Sequence, residues 1–124
     1  MKIGLLSDTH SIIDKRILKF FENCDEIWHA GDIGTIKTLE LLEKFKKIRA
    51  VYGNIDNHQI RKEVNEFLLL KYEKFVILII HIAGKPPKYN KITHNLIKKL
   101  VCSHTECAFL QLSTYKTSFK MSKN

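Results

Sequence analysis

No apolar run in this 124-residue chain exceeds the six residues Phe75 to Ile80, far short of the ~20 needed to cross a bilayer. A signal peptide is not expected, because Asp8 falls where such a segment would still be apolar. Cysteine is scarce. Cys24, Cys102 and Cys107 make an odd count without paired metal-knuckle spacing, which excludes a disulfide framework and points to a reducing, cytoplasmic setting. Acids are almost missing from the last third, where eight Lys in residues 85–124 face Glu106 alone. There is also no internal repeat and no domain linker.

What is present suffices for one core. The chain is 44% hydrophobic with 12 aromatic residues, and its mean hydropathy is −0.17. A single domain over residues 1–112 is expected, followed by a polar, Lys-rich tail over 113–124 that reads as loose. The formal charge is +8, yet residues 1–84 are nearly balanced, with 13 Lys/Arg against 12 Asp/Glu. Anionic partners therefore belong to the basic third. Nucleic acid is the weakest of them, since no aromatic-interleaved basic motif accompanies the charge.

Short apolar runs alternate with polar clusters and helix-like segments. Lys2–Ser7 reads as a strand, and Ser11 then caps a helix with Asp14 in the capping-box position. Ile13, Ile17, Phe20 and Phe21 take its buried side, and Phe45 is core as well. Glu26–His29 is the second strand. Thr35 caps a helix in which Ile36, Leu39, Leu42 and Phe45 recur every three residues. Ile48–Tyr52 is the third strand, and Phe67–Tyr72 with Phe75–Ile80 makes a hairpin. The adjacent prolines Pro86 and Pro87 place 84–90 in a loop. Thr93–Leu100 is a helix, and 101–112 is ambiguous, with one strand at Ala108–Leu112. The expected class is α/β, with a mixed, largely parallel sheet and flanking helices.

Chemistry-bearing residues stand where the apolar runs end. Asp8 and His10 follow the first, Asp32 the second, Asn54 the third and His81 the hairpin strand. Sites on parallel sheets form at the carboxyl ends of strands, so these polar clusters share an address. Carboxylate, imidazole and amide oxygen form a mixed N/O set, suited to Mn, Fe, Zn or Ni rather than Ca. His29 reads as packed inside its strand, Asp56 as orienting the Asn54 loop, and His58 and His94 as surface residues.

Asp8-x-His10, Gly31-Asp32, Gly53-Asn54-x-Asp56 and His81, in that order, resemble the motifs of the calcineurin-like metallophosphoesterase superfamily. Trp28–Ile33, Val51–Asp56 and the His81-Ile82-Ala83-Gly84 segment are similar to its small YfcE-like phosphodiesterase branch. The resemblance spans residues 1 to about 100 and implies a metallophosphoesterase-like sandwich. It also implies two divalent ions, with manganese the first choice. Asp8 and His10 would hold one, Asn54 and His81 the other, and Asp32 would bridge them. Asp32, Asn54 and His81 would thus be the catalytic set. The implied reaction is hydrolysis of a small phosphodiester by a hydroxide bridging the metals.

Two departures from the family pattern stand out. Ile55 follows the motif Asn where the wider superfamily often has a His that protonates the leaving oxygen, so aryl esters are the expected substrates. The closing Gly-His-x-His motif has only Ser103-His104-Thr105-Glu106 as its counterpart. His104 is a metal ligand or a bystander, and Glu106 stands where a second His would bind. These residues, with the Lys-rich end, suggest a reading frame shifted or truncated after Leu100 and an incomplete second sheet. They also leave open an alternative function, an interaction scaffold of this fold with weak or no catalysis.

Overall fold

A computed structural model describes residues 1–73, 75–85 and 87–100, and the backbone of 101–103, 106–111 and 118–123. Three parallel strands, β1 (Ile3–Leu6), β2 (Glu26–His29) and β3 (Lys47–Ala50), form the first sheet with β2 central. Their crossovers carry helices α1 (Lys15–Phe20) and α2 (Ile36–Phe45), as parallel pairing requires. Leu6, His29 and Ala50 lie level across this sheet, so the segments that follow them leave one common edge.

After β3 comes α3 (His58–Glu63), then β4 (Phe67–Tyr72) and β5 (Phe75–Ile80). The antiparallel pair β4 and β5 opens a second sheet in the order β4-β5-β8-β9. Between its halves lie a two-residue ladder, β6 (Gly84–Lys85) with β7 (Lys88–Tyr89), and helix α4 (Lys91–Ser103). Strand β8 (Glu106–Gln111) runs parallel to β5, and β9 (Ser118–Lys123) pairs antiparallel with β8.

The two sheets pack face to face. Trp28, Ala30 and Val51 of the first segment set meet Ile79, with Leu68, Leu70 and Ile77 packed against them. On the other side of the first sheet, Ile27 lies with Phe21, Cys24 and Leu42 against α1 and α2. Beyond the second sheet, Leu78 and Ile80 pack with Ala83, Tyr89 and Leu96. Strand β5 is thus covered on both faces, which is why Phe75–Ile80 reads as an unbroken apolar run. Among the described residues no helix is long and apolar enough to cross a membrane.

Several local expectations differ from the structure. Helix α1 is capped by Asp14, whose carboxylate accepts from Arg16 N and Ile17 N, and not by Ser11. His10 and Ser11 have left-handed φ of 47° and 72°, and their amides donate to Asp32 O and Ile33 O. The chain is therefore still tied to the β2 loop at Ser11, and the helix starts later. The later start turns Ile17 and Phe21 inward and leaves Phe20 80% exposed. Helix α3 was not foreseen, because only Ile60 of its six residues is buried. Residues 84–90 hold the β6–β7 ladder, and Asn90 starts α4 by accepting from Thr93 N at 2.9 Å. The expected loose tail contains β9. In its sequence Phe119 and Met121 alternate with Ser118, Lys120 and Ser122, a strand period hidden by the Lys-rich composition. Among the described residues the second sheet accordingly has four strands.

Candidate metal centre

Three loops leave the carboxyl edge of the first sheet and one leaves β5. The first two are stitched together by Asp8 N to Gly31 O, His10 N to Asp32 O and Ser11 N to Ile33 O, at 3.0, 3.0 and 2.8 Å. Asp8 and Asp32 both have left-handed φ, 58° and 57°. Such a conformation is uncommon outside glycine but tolerated by Asp, and it turns each carboxylate back over the strand ends.

The third loop is locked to the second by Asp56, which is 3% exposed. Its carboxylate accepts from Gly53 N (2.8 Å), Gly34 N (2.9 Å) and Ile33 N (3.1 Å). Close approach is possible only because residue 53 is glycine. A Cβ there would fall on Asp32 Oδ1. Gly31 is constrained twice, by φ +102° and by His81 Cβ and Cγ, 2.8 Å from where its own Cβ would be.

These constraints bring four donor groups around one carboxylate oxygen. Asp32 Oδ2 lies 3.2 Å from His81 Nε2 and 3.6 Å from His10 Nε2. His10 Nε2 is 3.9 Å from Asp8 Oδ1, and His81 Nε2 is 3.2 Å from Asn54 Oδ1. Asp32 and His81 are buried, at 4% and 7% exposure, while His10 and Asn54 face solvent. The other Asp32 oxygen accepts from Ile55 N at 3.2 Å, and Ser7 Oγ donates to Asp8 Oδ2.

The tautomer of His81 follows from its other nitrogen. Nδ1 lies 2.8 Å from Ala30 O. A carbonyl only accepts, so Nδ1 carries the proton. With Nδ1–H committed to Ala30 O, Nε2 is the ring atom that faces the oxygens of Asp32 and Asn54, each 3.2 Å away. A divalent cation satisfies that arrangement, and ligands of Asp8, Asp32 and His81 all lie within 4.8 Å of one another. The residues present fit a mixed N/O metal site.

His29 is fully buried and holds the edge from beneath. Gly31 N donates to its Nδ1 at 3.1 Å, so Nε2 carries the hydrogen and donates to Thr9 Oγ1 at 3.0 Å. Thr9 in turn donates to Ile33 O at 3.0 Å. Burial lowers the His29 pKa to about 4; the Asp56 and Asp8 charges oppose this shift and His81 adds to it. Because the folded value lies below the unfolded one, stability is complete above pH ~6.5 and falls as pH drops toward 4. Chemical denaturation at pH 7 and pH 4 should differ by roughly 3 kcal/mol from this group. His29→Gln should flatten that interval, and an unchanged slope in the variant would remove His29 as the cause.

Asp8, His10, Asp32, Asn54 and His81 are therefore brought together, although His81 arrives from the second sheet and not from a neighbouring parallel strand. Glu106 is not brought to them. Strand β8 runs beside β5 with Val76 level with Cys107 and Ile80 with Gln111, which puts Glu106 at the edge opposite His81. His104 lies outside the described residues. Sequence reading missed Arg61, whose side chain reaches back to the Asn54 loop: Nε donates to Asp56 O at 2.7 Å. Nothing in its spacing signals that role.

A family model described as the calcineurin-like phosphoesterase superfamily domain matches residues 1–110. A probable metallophosphoesterase of Methanocaldococcus jannaschii is 31% identical over 122 residues, covering 89% of this chain and 61% of that protein. Another, of Methanothermobacter thermautotrophicus, is 34% identical over 86 residues, covering 65% of this chain and 49% of that protein. The chain thus spans less than two thirds of the length of either relative. YfcE, a phosphoesterase from E. coli, shares the fold with a TM-score of 0.56 and 22% identity, over 73% of this chain and 65% of its own.

Proposed function

Because the chain belongs to the calcineurin-like phosphoesterase superfamily, we propose that it is a divalent-metal-dependent phosphodiesterase acting on small diesters. The observation that carries this reading is Asp32 Oδ2 facing both His10 Nε2 and His81 Nε2. A buried carboxylate flanked by two imidazoles suits a bridging ligand. Asp8 and His10 would hold one ion, Asn54 and His81 the other, with manganese our choice for the mixed donors. When bound, such ions acidify a water and offset phosphoryl charge.

The chain's own groups do the rest. The Ala30 carbonyl fixes the His81 ring through Nδ1–H, so Nε2 stays available as a ligand. Ile55 N holds Asp32 Oδ1, leaving Oδ2 free to face the site. Exposed Asn54 and His10 form the open rim through which a diester enters. The Ile55 side chain, 46% exposed, offers no proton to a leaving oxygen. Rates should therefore depend steeply on leaving-group acidity across a series of aryl and alkyl diesters. Ile55→His should flatten that dependence by speeding the alkyl esters, and an equal slope in both proteins would contradict the assignment.

The direct test is hydrolysis of bis(4-nitrophenyl) phosphate by metal-stripped protein before and after Mn²⁺ addition. We expect turnover only with metal and its loss on chelation. A folded, metal-replete protein without turnover would favour the scaffold reading.

A further inference from the structure

Beside the metal centre lies a cavity of about 220 Å³, whose lining includes Asn54, His81, Arg61, Ile82 and Ile92. That is below the ~300–1,000 Å³ of sites for drug-sized ligands, so it suits one compact group. Asn54 and His81 mark its reacting end. Ile82 and Ile92 are 53% and 44% exposed, giving apolar wall that a ring or short alkyl body would cover.

Arg61 supplies the charge. Its Nη2 shares Gly53 O and Asn54 O at 3.4 and 3.3 Å, and its guanidinium carbon sits 4.6 Å from the Tyr52 ring centroid. With Nε also bonded, one edge and one face of the guanidinium are fixed. Nη1 meets no acceptor, and no ion pair neutralises the cation, among the described residues. A held, planar cation with two unused donors is prepared for an anion, since little side-chain entropy remains to be lost.

We propose that this cavity receives the leaving group of the diester and that Arg61 selects leaving groups bearing a second anionic group, a carboxylate or phosphate. The proposal rests on the phosphodiesterase reading and names the substrate class for it. Arg61 is a specificity-determining residue here and takes no part in the bond-breaking step.

The test compares two substrates that share a ring, the methyl phosphodiesters of 4-hydroxybenzoate and 4-hydroxybenzamide. The wild-type protein should favour the benzoate ester in kcat/KM by about tenfold. Arg61→Met should erase that preference. Because Arg61 also ties the Asn54 loop, the variant lowers both rates, and a purely structural role would leave their ratio unchanged. Binding of free 4-hydroxybenzoate and 4-hydroxybenzamide, followed by NMR titration, needs no turnover. It should show the same preference and the same loss.

A wild-type protein without a carboxylate preference in binding, or a preference retained in Arg61→Met, overturns the proposal. If the binding preference behaves as expected while neither ester is hydrolysed, the subsite stands and the phosphodiesterase reading falls. Should Arg61→Met fail to fold, Glu66→Gln decides, because Glu66 also lines the cavity. Removing its charge should increase the carboxylate preference, and an unchanged preference overturns the proposal.

Discussion

Asp32→Asn should lower metal-dependent diester hydrolysis by at least on the order of 10²–10³-fold, with weaker metal binding measured in parallel. The reason lies in the geometry of one oxygen. Asp32 Oδ2 stands between His81 Nε2 and His10 Nε2 at 3.2 and 3.6 Å. An amide keeps the shape but loses the negative charge. Whichever way it turns, either Oδ2 becomes an NH₂ pointing at the ligand set, or the NH₂ faces the Ile55 N–H that Oδ1 now accepts. Fold stability should change far less than activity, since the carboxylate no longer crowds other acceptors. The measurement is kcat with saturating Mn²⁺ beside Mn²⁺ affinity by calorimetry. Wild-type turnover and metal content in the variant would contradict the bridging role.

Asp56→Ala should be the most destabilising substitution at the site. Three backbone N–H groups, from Ile33, Gly34 and Gly53, converge on this 3% exposed carboxylate. Alanine removes the acceptors of all three bonds and leaves at least two of the donors buried. Each buried unsatisfied donor costs about 1–3 kcal/mol, so a total near 3–5 kcal/mol is expected. For a chain of this size that corresponds to a fall in Tm of roughly 10–20 °C. Asp56→Asn is the informative control. An amide oxygen in the Oδ2 position still accepts from Ile33 and Gly53 and fails only Gly34, so its loss should be smaller. An Asp56→Ala protein that melts with wild type and keeps its metal-dependent rate would show that the two loops are held by something else.

Much of the framework was legible because local pattern and tertiary environment agree. Glu26–His29 and the Phe67–Tyr72/Phe75–Ile80 hairpin form where the short apolar runs place them. The observed class is also the expected mixed α/β one, with parallel strands and flanking helices. Elements whose cause is non-local were not legible. Ser11 does not cap α1, because its left-handed φ of 72° and its bond to Ile33 O, a partner 22 positions away, hold it in the loop before the helix. Phe20 turns to solvent as a consequence of that delayed start. Helix α3 has a single buried residue, Ile60, too little to raise a periodic signal.

The site divides in the same way. Asp8, His10, Asp32, Asn54 and His81 follow apolar runs, so the rule that strand ends carry chemistry selects all five, and the fold brings their side chains near one another. That rule does not say which sheet supplies His81, nor that Gly31 must lack a Cβ for the His81 ring to approach. Glu106 shows the limit of motif matching. The residue stands at a suggestive interval from His104, but the register of β8 with β5 sends it to the far edge. Arg61 lies beyond such reasoning, since its role depends on a long side chain folding back to three carbonyls.

The most direct test of the metal centre is a crystal structure of the protein grown with Mn²⁺, with anomalous scattering used to locate the ions. Density is expected within ligand distance of Asp32 Oδ2, with His10 on one side and His81 and Asn54 on the other. Fully occupied ions bound elsewhere on the protein, with the Asp32 carboxylate free of metal, would contradict that placement.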